Sequence, residues 1–172
     1  MSPIEEIRKD RVHGARWLTQ RAANILLTLA REGYPDLRQA CRELAAAQPA
    51  MAPLVQLANA AARAGTPAEV ETLCVRTLFA LERSGRAVAE RAAVLIGDGA
   101  IVLTHSYSGT VEAALLQAHT RRTRFRVIAT ESQPLGEGAQ LADSLRRSGI
   151  PVTLIPDDAV PVHLPKSSLV MV

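Results

Sequence analysis

The chain has 172 residues, 48% of them apolar and 22% charged, with a formal net charge of +3 at pH 7. This length predicts one domain, or one domain with an appendage, and the composition is typical of a globular protein. No apolar run approaches the roughly 18 to 20 residues of a membrane span. The charged N-terminus lacks the apolar core of a secretory signal, so we expect a cytoplasmic protein with no membrane partner.

Chemistry that depends on metals or bound cofactors has no sequence signal. Cys41 and Cys74 fall in helical patterns without CxxC spacing, and we interpret them as small core residues. The GxGxxG and Walker patterns are absent, as is any metal-ligand spacing. The sequence therefore predicts no metal and no cofactor.

The N-terminal half carries helical patterns only. Apolar residues at three- and four-residue spacings predict an amphipathic helix over residues 10–31, and further helices are predicted over 36–47, 54–64 and from 66 to as far as 92. Gly14 lies early in the first of these, where glycine costs up to about 1 kcal/mol relative to alanine. Either the helix start is frayed, or the backbone at Gly14, with Arg16 nearby, touches a ligand phosphate.

From about residue 93, apolar strand-like runs alternate with helical patterns. The predicted strands are 100–104, 126–130, 152–155 and 169–172, with helices over 111–118 and 137–147. Strands that are apolar on both faces and joined by helices indicate a parallel sheet. The predicted fold class is α/β, with a helical domain over 1–92 and a Rossmann-like half-domain over 93–172. The last strand needs either further chain or a partner to cover it.

The turn after the first strand is the best candidate for a binding site. It contains His105, Ser106, Ser108, Gly109 and Thr110 and leads directly into a helix. The first N–H groups of a helix and its dipole favour a bound anion, and the hydroxyls add further donors. Gly109 allows a backbone to come close to a ligand.

Acidic residues follow the next two strands at the same edge of the predicted sheet. Glu131 could accept hydrogen bonds from sugar hydroxyls, or it could cap a turn or pair with an arginine. Asp158 could join the site or cap a short helix, and His105 could be a packed histidine bonded to backbone. With Gly14 and Arg16, these turns predict a site for a small phosphorylated ligand.

Arginines cluster between a helical and a strand pattern at Arg121, Arg122, Arg124 and Arg126. We interpret the cluster as a solvated connecting loop. Docking to RNA or to an acidic partner is the alternative, but a mild positive charge does not argue for nucleic acid, which we do not expect as a partner.

Four segments carry a family resemblance. They are residues 10–15 (DRVHGA), 101–111 (IVLTHSYSGTV), 125–134 (FRVIATESQP) and 149–155 (GIPVTLI). In these, and in order and spacing over essentially the whole chain, the sequence resembles the family that joins the alpha, beta and delta subunits of translation initiation factor 2B to two sugar-phosphate isomerases. The resemblance implies a helical N-terminal domain, a Rossmann-like C-terminal domain that is incomplete here with four strands, and dimers formed through the C-terminal half.

The sequence departs from the isomerase pattern in three places. Ser106 stands where the isomerases have a catalytic Cys, and a serine needs a dedicated base to replace a thiol. The catalytic Asp of the family follows the strand that ends here at Val172, so it lies outside this sequence, and Gln133 replaces a frequent Arg. The resemblance therefore implies no catalytic residue in this chain.

Three functions follow as hypotheses. The first is an initiation factor 2B-like protein that binds a phosphorylated sugar or nucleotide monophosphate in a regulatory role, as an oligomer. The alternative is an aldose–ketose isomerase of a phosphorylated ribose derivative, with its catalytic Asp outside the chain. The third is an interaction module that has lost its ligand and forms an obligate dimer.

Overall fold

The protein is described by a computed structural model that covers residues 2–172. The chain divides into two compact units, with the division between Arg83 and Ser84. This division falls within one long helix, ahead of the predicted domain boundary at 92/93. No helix among the described residues is long and apolar enough to cross a membrane.

The first unit is built from helices alone, as expected. The helices are α1 (Pro3–Lys9), α2 (Ala15–Arg31), α3 (Leu37–Ala47), α4 (Ala52–Arg63) and the first part of α5 (Pro67–Val94). Their core is made mainly of leucine and alanine side chains, with Ile7, Ile25 and Val70. Cys41 and Cys74 are buried in this core as free thiols, which confirms their interpretation as small core residues.

The predicted helix over residues 10–31 is wrong in its first turn. The Asp10 carboxylate accepts hydrogen bonds from the N–H groups of Val12 at 2.9 Å and His13 at 2.8 Å. These local bonds compete with helical bonds and separate α1 from α2. Gly14 is the N-cap of α2, with φ −74°, so it lies outside the helix and the cost of a glycine in a helix interior does not apply.

The second unit is an α/β structure with one parallel sheet, which confirms the predicted fold class. The strands are β1 (Ala100–Thr104), β2 (Phe125–Thr130), β3 (Val152–Ile155) and β4 (Leu169–Met171), in the order β3-β2-β1-β4. Helix α6 (Gly109–Thr120) connects β1 to β2, and α7 (Glu137–Arg147) connects β2 to β3. Two short 3-10 turns, Asp157–Ala159 and Leu164–Lys166, flank α8 (Val160–His163) before β4.

The strand order places a reversal of chain direction beside β1. The chain moves from β1 to β2 and β3 on one side and then returns to β4 on the other side of β1. Ligands in open α/β sheets bind at such a switch point, outside the carboxyl ends of the strands. The turn between β1 and α6 lies at this place.

Candidate functional site

The turn between β1 and α6 leaves two backbone donors available. Ser108 is the N-cap of α6, and its Oγ accepts from the N–H of Val111 at 3.4 Å. Among the described residues, the N–H groups of Gly109 and Thr110 have no acceptor. Free N–H groups at the start of a twelve-residue helix form a favourable place for an anion.

Two serines in neighbouring turns hold a strained backbone. Ser106 has φ 63° and Ser132 has φ 61°, both in the left-handed region that favours glycine. Each such residue costs about 1 kcal/mol or more. The N–H of Ser106 donates to Ser132 Oγ at 2.6 Å, so the two strained residues are bonded to each other. Strain of this kind concentrates at binding and catalytic sites.

His105 lies at the centre of a group of polar side chains. Its Nδ1 is 2.7 Å from Thr130 Oγ1 and 3.3 Å from Ser132 Oγ. The His105 side chain is 56% exposed, and its Nδ1 is 3.9 Å from Asp157 Oδ1. The alternative of a packed histidine bonded to backbone is therefore wrong, because the ring is exposed and its partners are hydroxyls.

Asp157 stabilises the turn after β2. Its two carboxylate oxygens accept from the N–H groups of Ser132 and Gln133, each at 2.8 Å. The hydrogen bonds from Gln133 and Ser132 lower the pKa of Asp157. The sequence indicated its neighbour Asp158 instead. Asp158 is exposed, and its side chain has no hydrogen bond among the described residues.

The turns that follow β1, β2 and β3 lie together at the carboxyl ends of the strands, and we call this surface the rim. Two glutamates lie on it. Glu131 is half-buried, and its Oε2 accepts from Gln133 Nε2 at 3.4 Å; within the described part of the chain it pairs with no arginine. Glu137, at the first position of α7, accepts from Ser106 Oγ at 3.0 Å. Sequence reasoning missed Glu137, because this contact joins residues 31 positions apart and has no local pattern.

The rim has an acidic balance of charge. The turns after β1, β2 and β3 carry the carboxylates of Glu131, Asp157 and Asp158, with Glu137 directly after them, and no lysine or arginine. A phosphate here would depend on backbone N–H groups and on a cation from outside these turns. A sugar hydroxyl, in contrast, would find several carboxylate acceptors.

A second network of hydrogen bonds joins the turn between β1 and α6 to helices α6 and α7. The hydroxyl of Tyr107 donates to Glu112 Oε2 at 2.6 Å, and Ser144 Oγ donates to Glu112 Oε1 at 2.5 Å. Burial and the Glu112 carboxylate raise the pKa of Tyr107 to about 12. Tyr107 therefore stays a neutral donor that ties the turn to α6 and α7.

Thr104, the last residue of β1, carries an unsatisfied hydroxyl. The residue is 1% exposed, and its Oγ1 has no hydrogen-bond partner among the described residues. Its register partners are Ala129 on β2 and Met171 on β4, so it lies at the carboxyl end of β1, beside the switch point. A buried polar atom without a partner is rare enough to suggest that another group approaches it.

Gly14 and Arg16 belong to the helical unit, and the contacts that form the rim do not include them. Both residues are exposed, and no atom lies within 4 Å of the place where a Cβ on Gly14 would be. Beside them, the rings of His13 and Trp17 stack with centroids 3.7 Å apart. Their part in ligand binding remains a prediction.

Two cavities on the described part of the chain do not contain the predicted site residues. One, of about 260 Å³, lies on α1 and α2 of the helical unit, and its walls include Arg21 and Ile25. The other, of about 390 Å³, lies at the opposite edge of the sheet from the rim and includes Arg122 and Phe125. Within residues 2–172, no group of three or more His, Cys, Asp or Glu side chains could hold a metal ion.

Comparisons with known proteins agree with the fold. The family model of the Initiation factor 2 subunit family matches residues 11–172. A translation initiation factor eIF-2B subunit 2-like protein of Pyrococcus horikoshii is 33% identical over 98% of this chain and 63% of that protein. The crystal structure of Pyrococcus horikoshii OT3 translation initiation factor eIF-2B has a TM-score of 0.86 at 32% identity, over 98% of this chain and 63% of that one.

Enzymes are also among the similar proteins. Ribose 1,5-bisphosphate isomerase of Archaeoglobus fulgidus is 30% identical over 93% of this chain and 55% of the enzyme. The 5-deoxyribose 1-phosphate isomerase of Moorella thermoacetica is 33% identical over 90% of this chain and 52% of the enzyme. The chain therefore spans between half and two thirds of the length of these relatives.

Proposed function

Because the chain belongs to the Initiation factor 2 subunit family, we propose that it binds a phosphorylated sugar or a nucleotide monophosphate as a regulatory ligand, without catalysis. The observation that carries the proposal is the pair of strained serines, Ser106 and Ser132, beside the free N–H groups of Gly109 and Thr110. A backbone held in a costly conformation beside unused donors is what a preorganised anion site requires.

The chemistry of the rim suggests how such a ligand would lie. The phosphate would accept from the N–H groups of Gly109 and Thr110 at the start of α6. The sugar hydroxyls would donate to the carboxylates of Glu131 and Glu137. Since these carboxylates would repel the phosphate, the two ends of the ligand are distinguished by charge, and an unphosphorylated sugar or a bare phosphate should bind more weakly.

Isothermal titration of the intact chain against phosphosugars and nucleotide monophosphates tests this proposal. We expect at least one of them to bind, and we expect Ser106→Trp to abolish binding because its side chain would occupy the turn. Gln56→Trp, an exposed position on α4, is the matched control and should bind as the unchanged protein does. Failure of the whole panel, or equal binding by Ser106→Trp, would contradict the proposal.

An aldose–ketose isomerase acting on a phosphorylated ribose derivative is the second candidate. It is favoured by the 3.0 Å hydrogen bond from Ser106 Oγ to Glu137, which places a carboxylate against the hydroxyl. Moving a proton between adjacent carbons needs one acid and one base. By the family resemblance the thiol is replaced by Ser106, and the further carboxylate would come from outside this chain.

Turnover separates the two candidates. Because the isomerase candidate takes its further carboxylate from outside these 172 residues, the assay uses the full-length gene product. Ribose 1,5-bisphosphate and methylthioribose 1-phosphate would be incubated with that protein and with its Ser106→Cys variant, and the ketose product measured. A binding protein gives no product with either form. Product formed by the unchanged full-length protein, and lost in its Glu137→Gln variant, would establish the enzyme instead.

Assembly through the C-terminal half is part of the same proposal. Strand β4 pairs with β1 on one side only, and apolar side chains near it are exposed, including Val170 and Val172. Exposed apolar surface beside an open strand edge is typical of a surface that further chain or a partner covers, and the proposal is that a second copy covers it. Sedimentation at micromolar concentration should show a dimer, and a well-folded monomer would contradict this part.

A further inference from the structure

A group of arginines lies at the edge of the sheet where the strands begin, opposite the rim. We call Arg121, Arg122, Arg126 and Arg147 the arginine edge. Arg121 and Arg122 follow α6, Arg126 is the second residue of β2, and Arg147 ends α7. All four residues are exposed, and within the described part of the chain none of their side chains forms an ion pair.

Two neighbouring arginines, in contrast, form ion pairs within the chain. Arg124 donates to both oxygens of Asp98, and Arg146 donates to Asp143 Oδ1 at 3.1 Å. The first pair joins the residue before β2 to the turn before β1, and the second lies along α7. The arginine edge has no such acidic partners, so the positive charge on this surface is not neutralised from within the chain.

The backbone at Arg122 adopts a left-handed conformation that is unfavourable for an arginine. Arg122 has φ 63° and lies just after the C-cap residue Arg121. Its N–H donates to the carbonyl of His119 at 2.8 Å, and the N–H of Thr123 donates to that of Ala118 at 3.2 Å. This is a Schellman motif, in which glycine usually occupies the left-handed position. An arginine at this position, against its conformational preference, points to a use for its side chain.

The strained arginine also lines a cavity. A space of about 390 Å³ is lined by His119, Arg122, Thr123, Arg124, Phe125 and Pro151. Phe125 and Pro151 supply apolar surface, while Arg122, Arg124 and His119 supply cationic or polar groups around it. This lining suits a ligand in which an apolar side chain is flanked by acidic groups.

Basic residues at helix C-termini have an ordinary explanation, because they interact favourably with the helix dipole. That explanation accounts for Arg121 and Arg147. It accounts neither for a left-handed arginine where glycine would be unstrained nor for the cavity beside it. Phe125, the aromatic residue that lines the cavity, is only 8% exposed, so it offers no open face for stacking a base.

We propose that the arginine edge and its cavity dock an acidic protein segment that inserts one apolar side chain. The guanidinium groups pair with carboxylates of the segment, and the apolar side chain contacts Pro151, which is exposed, and the small accessible part of Phe125. This surface lies at the opposite edge of the sheet from the rim, and the inference does not depend on the proposed ligand of the rim.

Fluorescence anisotropy with the full chain tests the inference. The probe is a labelled peptide of Glu and Asp around one central Phe, compared with the same peptide carrying Ala at the centre and with an oligouridine of equal charge. We expect the Phe peptide to bind most tightly, and we expect Arg122→Gly to weaken it by about tenfold, the loss of one charge-assisted contact. Arg38→Ser, an exposed charge loss on α3, is the matched control and should leave binding unchanged.

The same variant separates binding from folding. Because glycine relieves the left-handed strain, Arg122→Gly should keep or raise the thermal midpoint while it weakens binding. Arg121→Ser, whose backbone is unstrained, provides a second measure of the charge effect. Equal binding of the Phe and Ala peptides would overturn the proposal, as would unchanged affinity in both arginine variants. If the oligouridine bound more tightly than the peptides, and Arg122→Gly lost that binding, the partner of the arginine edge would be nucleic acid and not an acidic protein segment.

Discussion

Replacement of Gly138 by alanine is the most severe single change that the structure predicts. Gly138 is the second residue of α7 and is buried against the end of β2. A Cβ at this position would lie 1.7 Å from the carbonyl oxygen of Thr130 and 2.9 Å from its carbonyl carbon. Both atoms belong to the backbone of a central strand, so no side chain can rotate to make room.

The cost follows from the movement that alanine would force. The contact of 1.7 Å must open to at least about 3.0 Å, so α7 has to move away from β2 by more than an ångström. Overpacking of this kind costs about 1–3 kcal/mol. The movement also breaks the hydrogen bond from the N–H of Gly138 to the carbonyl of Glu131, at 3.2 Å, which contributes about 1 kcal/mol. We therefore expect a loss of about 2–4 kcal/mol in the free energy of unfolding.

Urea denaturation followed by circular dichroism measures this loss. Gly97→Ala is the matched control in the same unit, because no atom lies within 4 Å of its Cβ position and its φ is not in the left-handed region. We expect Gly97→Ala to change the free energy of unfolding by less than about 0.5 kcal/mol. If Gly138→Ala lost less than about 1 kcal/mol, the close contact between α7 and β2 would be refuted.

Three smaller changes test other parts of the rim. Thr104→Val removes a buried hydroxyl without a partner and should raise the free energy of unfolding by about 1 kcal/mol in the absence of ligand; a destabilised variant would show that the hydroxyl is satisfied. Asp157 has a lowered pKa, so its stabilisation is present above the ordinary value of 3.8 and is lost as pH falls through the folded value. The difference in midpoint between the unchanged protein and Asp157→Asn should therefore shrink in acid, and a constant difference would argue against the charge. Burial and Glu112 raise the pKa of Tyr107 to about 12. In the variant Tyr34→Phe, in which Tyr107 is the remaining tyrosine, the tyrosinate absorbance at 295 nm should therefore rise only near that pH. The stability that comes from the bond between Tyr107 and Glu112 should persist at pH 10 and be lost towards pH 12.

Much of the α/β unit could be predicted from short-range patterns. The apolar runs over 100–104 and 152–155 correspond to β1 and β3, and the helical pattern over 137–147 corresponds to α7. These segments succeed because Gly or Pro precedes both strands, and because β1, which is largely buried, needs a continuous apolar run. The fold class follows from the alternation of such runs with helices.

The start of the helical unit could not be predicted in the same way. Helical spacing of apolar residues continues through residues 10–14, yet the chain leaves the helix there. Asp10 accepts the N–H groups of Val12 and His13, and such local bonding competes with the helix without changing its apolar pattern. Gly14 was therefore assigned to a helix interior when it is the N-cap.

The candidate site was predicted in its outline and missed in its partners. His105 and Ser106 were placed on the rim because a turn between a strand and a helix is a local feature. Their contacts with Ser132 and Glu137 join turns that are distant in sequence, and no spacing rule indicates them. Asp157 and Asp158 are adjacent acidic residues, and their side chains leave the backbone in different directions. Composition does not show which of the two carboxylates turns towards the N–H groups of Ser132 and Gln133.

Gly138 shows how a weak sequence signal acquires its meaning. An isolated glycine in a helical pattern marks either a flexible start or a close approach of backbone. The contact with the Thr130 carbonyl shows that the glycine is required for packing, because any side chain would collide with β2.

The backbone amides at the start of α6 provide the most direct test of the proposed function. In a nitrogen–proton NMR spectrum of the intact chain, titration with a phosphosugar that binds should shift the signals of Gly109, Thr110 and Ser106. Signals of Arg122 and Thr123, at the opposite edge of the sheet, should stay in place. Saturable shifts that include Gly109 and Thr110 are the predicted result. Shifts confined to other residues, or none with any member of the panel, would contradict the account.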